Sequence, residues 1–113
     1  MTNENCAPIA CTLASFDAEA RREHHERTRR LLSHVKFFEE LPDGWRFTLP
    51  PVHGLFREAV DWVLVERKCC PFLSFDFRIE DPRDPFSLAV RGPEGGKQAL
   101  EAELGELAPW ARV

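Results

Sequence analysis

Tyrosine is missing from this 113-residue chain, methionine occurs once, and the first residues carry no basic cluster. Met1 to Asn5 therefore lack the charged start of an export signal, and the apolar run Ala7 to Ala14 is short and broken by Pro8 and Thr12. Neither a signal peptide nor a membrane span is expected. Fifteen basic against nineteen acidic side chains leave a formal charge of -4, so no chain-wide cationic field draws in nucleic acid or anionic lipid, and partners of both kinds are not expected. A phosphate-binding glycine loop, a His-Glu-x-x-His zinc motif and a serine nucleophile elbow are also absent. With four cysteines and no export signal, the chain is expected in the cytoplasm, where thiols persist as thiols.

Nine phenylalanines and three tryptophans, within 43% hydrophobic residues, point to an aromatic-rich core. A chain of this length suits a single domain over residues 1–113 that buries about two-thirds of its unfolded surface. Its first 12 residues read as a partly ordered leader.

Leu13 to Leu32 places Phe16, Ala20, His24 and Leu31 at helical spacing, with Ser15 or Asp17 available as N-cap. The outer face of this first helix, Arg21 to Arg30, holds five arginines, but Glu19, Glu23 and Glu26 stand three or four residues from them and predict self-pairing. Val35 to Glu40 and Trp45 to Leu49 are β-prone runs joined by Pro42-Asp43-Gly44, a hairpin turn. Gly54 to Cys69 is a second helix with a broad apolar surface. Leu73 to Glu80 alternates, placing Leu73, Phe75, Phe77 and Ile79 inside, and Phe86, Leu88 and Val90 complete a second hairpin. A third helix opens at Pro93 or Glu94 and carries Leu100, Leu104 and Leu107, while Trp110 pins the tail. The expected fold is α+β: an N-terminal helix, then two β-β-α units forming a four-stranded antiparallel sheet with helices on one face.

Reactive side chains concentrate in Glu66-Arg67-Lys68-Cys69-Cys70-Pro71-Phe72-Leu73. Helical spacing puts Glu66 beneath both cysteines, on the stripe of Leu55, Ala59 and Trp62. A carboxylate in an apolar stripe needs a partner once buried: a thiol proton, an arginine or a metal. Adjacent cysteines point apart in regular helix, but Pro71 disfavours helical geometry at Cys70 and lets the sulfurs converge. Two thiolates suit soft ions yet leave a site incomplete, and Cys11, Cys6, His24, His25 or His53 could complete it. The bland reading treats the cysteines as small buried hydrophobes, His24 as a helix-face histidine and His53 as a loop histidine.

Ala10-Cys11-Thr12-Leu13, Leu41-Pro42-Asp43-Gly44, Glu66 to Phe75 with its Glu-Arg-x-Cys-Cys-Pro-Phe-Leu core, and Gly92-Pro93-Glu94-Gly95 together resemble a family of small bacterial cytosolic proteins of uncharacterised activity. The resemblance spans most of the chain from Cys11 onward. It singles out Cys11, Cys69 and Cys70 as the matching thiols and leaves Cys6 as an extra.

These readings converge on a site for a soft metal or metalloid (zinc, copper(I), mercury(II) or arsenite), made by Cys11, Cys69 and Cys70 and supported by Glu66. Two alternatives stand beside it: a thiol-dependent enzyme with Cys69 or Cys70 as nucleophile or redox thiol, and a partner-binding module with structural cysteines. A sheet with one bare face also predicts a homodimer.

Overall fold

The computed structural model describes residues 16–112, and the order of its elements is the expected one. Helix α1 (Ala18–Ser33) precedes strands β1 (Phe37–Leu41) and β2 (Gly44–Leu49), helix α2 (Leu55–Cys69), strands β3 (Ser74–Arg78) and β4 (Phe86–Arg91), and helix α3 (Gly96–Leu104). Two short 3-10 turns, Gly105–Leu107 and Pro109–Arg112, close the chain. No helix among the described residues is long and apolar enough to cross a membrane.

The boundaries follow local chemistry. Helix α1 begins at Ala18 because Asp17 caps it, its Oδ1 accepting from the Ala20 N–H at 2.7 Å. Helix α3 starts later than proline at a first turn predicts. Pro93 to Gly96 instead form a turn closed by the Gly96 N–H on the Pro93 carbonyl, and Gly95 takes φ 88°, which glycine tolerates.

All strand pairs are antiparallel, in the order β1-β2-β4-β3, so the second strands of the two hairpins meet at the centre. Gly44 is required there: a Cβ on it would lie 1.9 Å from the Val90 carbonyl oxygen. One face buries Trp45, Phe47 and Leu49 of β2 with Phe86, Leu88 and Val90 of β4. Against it pack Leu31 and Leu32 of α1, Leu55, Ala59 and Trp62 of α2, and Leu100 and Leu104 of α3. Each leucine or phenylalanine among them contributes about 1.5–3 kcal/mol by leaving water. The opposite face is polar, with Glu39 and Arg46 paired across β1 and β2 at 3.0 Å.

Trp110 secures the tail by stacking on Trp45, ring centroids 3.9 Å apart. On the outer face of α1, Arg22–Glu19 and Arg29–Glu26 pair within the helix as expected, whereas Arg27 and Arg30 reach across to Glu58 of α2. Ile79 departs from expectation: β3 ends at Arg78, the alternation stops, and Ile79 stands exposed.

Candidate metal centre

Helix α2 buries one stripe, Leu55, Ala59, Trp62, Glu66 and Cys69, at steps of three and four residues. The stripe runs from hydrocarbon into a carboxylate and a thiol, both fully buried. The helix then stops. Cys70 leaves helical geometry at φ -128° and ψ 72° while its N–H still donates to the Glu66 carbonyl at 2.7 Å. The Leu73 N–H donates to the Cys70 carbonyl at 3.1 Å, closing a turn with Pro71 at its second position, where a fixed φ fits. As a result the two sulfurs lie 3.6 Å apart instead of diverging.

Helix α1 supplies His24. Its Nε2 is 2.7 Å from Glu66 Oε1, and its ring lies nearly parallel to the Trp62 indole, with centroids 6.1 Å apart. Trp62 Nε1 donates to Thr28 Oγ1 at 2.8 Å, and that hydroxyl donates to the His24 carbonyl at 2.7 Å. The first bond ties α2 to α1, and the second, within α1, orients the hydroxyl that receives it. His24 is 2% exposed, so the helix-face reading of this residue is corrected: the face it occupies is the buried one.

Helix α3 supplies Glu103. Its Oε1 accepts from the Cys70 thiol at 3.3 Å. Gly96 at the start of α3 lies close to the Phe72 ring, in the turn that follows Cys70: a Cβ there would stand 3.3 Å from Pro93 and 3.4 Å from that ring. Cys69 in turn lies 3.7 Å from Glu66 Oε1.

His24, Glu66, Cys69 and Glu103 each offer one donor atom, all within 4.8 Å of one another. Four ligands around a tetrahedral zinc ion sit about 3.3–3.8 Å apart, given bonds of about 2.0–2.3 Å, so small side-chain shifts would bring this set to bonding range. Four buried side-chain atoms among the described residues have no hydrogen-bond partner, and two of them, His24 Nδ1 and Glu66 Oε2, belong to this centre. Such atoms are costly to bury and fit a site built for a further ligand.

Protons balance the charges of the centre. Burial pushes the His24 imidazolium down, but hydrogen bonds with Cys69 and Glu66 and the Glu66 charge outweigh it and raise its pKa to about 9. Burial also opposes ionisation of Glu66, yet the hydrogen bonds from His24 and Glu103 hold its carboxyl below the ordinary value. Burial, and after it the adjoining Glu66, push Glu103 up to about 10. At neutral pH the centre thus pairs a charged His24 with an ionised Glu66 and a protonated Glu103.

Of the residues expected from sequence, Cys69, Cys70 and Glu66 come together, while Cys11 and Cys6 lie outside the described residues. His25 and His53 are exposed. Sequence reasoning missed Glu103, although Leu100, Glu103, Leu104 and Leu107 follow helical spacing and put a carboxylate in an apolar stripe, the same signal that marked Glu66. Comparison with known proteins adds no relative: no family model, curated protein or solved structure matches the chain.

Proposed function

We propose that this protein binds a single divalent metal ion of borderline softness, zinc before others, through Cys69, His24, Glu66 and Glu103. The observation that carries this reading is a compact group of nitrogen, oxygen and sulfur donors in the core, two of whose members hold buried atoms without partners. Zinc accepts thiolate, imidazole and carboxylate together, whereas copper(I), mercury(II) and arsenite favour sulfur and gain less from two carboxylates. All four donors come from one chain, so the site needs no second copy.

The test is titration of purified, reduced full-length protein with zinc against a chromophoric chelator. One ion per chain is expected, and Cys69→Ser or His24→Ala should weaken binding by about 100-fold or more, beyond the 10–100-fold typical of losing a mere support of a ligand. Cys11→Ser addresses the three-cysteine arrangement: unchanged affinity favours the four core donors, and a large loss makes Cys11 a ligand. The reading fails if wild-type protein takes up none of zinc, copper(I), mercury(II) or arsenite.

A second reading rests on Cys69 lying beside an imidazole that is itself bonded to a carboxylate, the arrangement that activates a thiol nucleophile. Its test is alkylation: Cys69 should react fast well below pH 8.5, the ordinary thiol value being about 8.5. Both thiols are buried, and the groove of about 470 Å³ lined by Val52, Phe56, Ile79 and Pro82 contains no member of the cluster, so metal retention is favoured over turnover.

A further inference from the structure

Resting on the metal reading above, the geometry of the second cysteine carries a further step. Cys70 is not one of the four clustered donors, yet its sulfur is 3.6 Å from that of Cys69. Three of the four donor residues, His24, Glu66 and Cys69, are almost wholly buried, as is Cys70 itself. Glu103 alone in the cluster is part-exposed. A hydrated ion therefore meets Glu103 first. Stripping that ion of all its ligands at once on the way to Cys69 is prohibitively costly, because a bare charge is strongly disfavoured in a low-dielectric interior. The ion has to move by exchanging one ligand for another.

The contacts along such a path are continuous. Glu103 Oε1 is 3.3 Å from Cys70 Sγ, Cys70 Sγ is 3.6 Å from Cys69 Sγ, and Cys69 Sγ is 3.7 Å from Glu66 Oε1, which His24 touches at 2.7 Å. Two thiolates bound at about 2.3 Å to one tetrahedral ion lie about 3.7–3.8 Å apart, whereas a linear two-sulfur ion needs about 4.6 Å. The observed sulfur spacing thus matches an ion held by both cysteines in bent geometry. The turn at Pro71 fixes Cys70 in that position.

We infer that Cys70 is a loading ligand for a divalent tetrahedral ion: it takes the ion from the part-exposed Glu103, shares it with Cys69, and is released once the ion settles among the four donors. Glu103 releases its carboxyl proton to water as it takes the ion, the Cys70 thiol releases its own as the ion reaches it, and His24 and Cys69 release theirs as the ion settles among the four donors. The Cys70 thiolate regains a proton when the ion moves on, so one uptake leaves Cys70 chemically unchanged. Because the path in is also the path out, Cys70 speeds uptake and release by one factor and leaves affinity alone.

Stopped-flow transfer of zinc between full-length protein and a chromophoric chelator separates these quantities. Cys70→Ala is expected to slow uptake and release about tenfold each, with the equilibrium constant within about threefold of wild type, a split that a packing role would not produce. Cys70→Ser keeps the size and a hydrogen-bond donor towards Glu103 and serves as the second variant if the alanine protein fails to fold; it should show the same slowing. Equal rates in wild type and variant would overturn the inference, and so would a fall in affinity that matches a faster release, which would make Cys70 a retained ligand. Wild-type protein that binds no zinc would defeat the metal reading itself, a result distinct from either.

Discussion

The core has two ends built on opposite principles. At one, Trp45, Trp110, Phe38 and Phe47 stack and pack edge to face, with Trp45 and Trp110 centroids 3.9 Å apart. At the other, His24, Glu66, Cys69, Cys70 and Glu103 replace hydrocarbon with groups that titrate. The aromatic end stabilises simply by leaving water, and a ring pair adds about 0.5–1.5 kcal/mol beyond that area. The polar end has no such return, since buried charges gain from each other roughly what they lose in hydration. The buried polar group under the helices therefore adds little net stability, whereas the aromatic end adds much.

The contrast can be broken at each end. The largest effect is expected at the aromatic end, where Trp45→Ala should lower unfolding free energy by about 3–5 kcal/mol, read from urea denaturation of metal-free protein. A loss below about 1 kcal/mol would mean that Trp45 and Trp110 do not hold the tail.

At the polar end, removing one partner and removing both should differ. Glu66→Leu alone strands His24 beside an apolar side chain and should destabilise metal-free protein by about 3 kcal/mol. The double variant His24→Leu, Glu66→Leu should recover most of that, while binding no zinc. If the double variant is as unstable as the sum of the two single ones, His24 and Glu66 are energetically independent and the account of them as a buried pair collapses.

A further test is the effect of pH on metal-free protein. His24 is raised from 6.5 to about 9, so its contribution is complete below pH 6.5 and is lost as pH climbs through 9. Glu103, raised to about 10, keeps a proton that the unfolded chain gives up above about pH 4.5, which also makes stability fall with rising pH. Glu66 is lowered, and its contribution is lost only in acid. The melting temperature of metal-free protein should therefore decline from pH 6.5 to 9. Zinc requires deprotonated donors, so the gap between loaded and metal-free midpoints should widen over the same interval. A metal-free midpoint that rises with pH would contradict the proton arrangement described for the centre.

Much of the fold was legible because strands and helices write their buried faces at different periods. Trp45, Phe47 and Leu49 alternate at period two, and Leu55, Ala59, Trp62 and Glu66 recur at helical spacing. Where legibility failed, a boundary or a neighbour was responsible. Ile79 lies one residue past the end of β3, and Gly95 with its positive φ moved the start of α3. Of the site, Glu66 and the cysteines stood out as odd chemistry in an apolar stripe. Glu103 carries the same mark, but with no unusual residue beside it the carboxylate passed for an ordinary helical glutamate.

Local rules, acting over three or four residues, were enough to put Glu66 under Cys69 and to turn the chain at Pro71. The meeting of His24 with Glu66, 42 positions apart in the chain, and of Cys70 with Glu103, 33 apart, was decided only when three helices settled on one face of the sheet. Helical periodicity says which way a side chain faces along its own axis. It carries no information about which other helix will stand opposite, and that choice, set by the strand order that places the helices, assembled the centre.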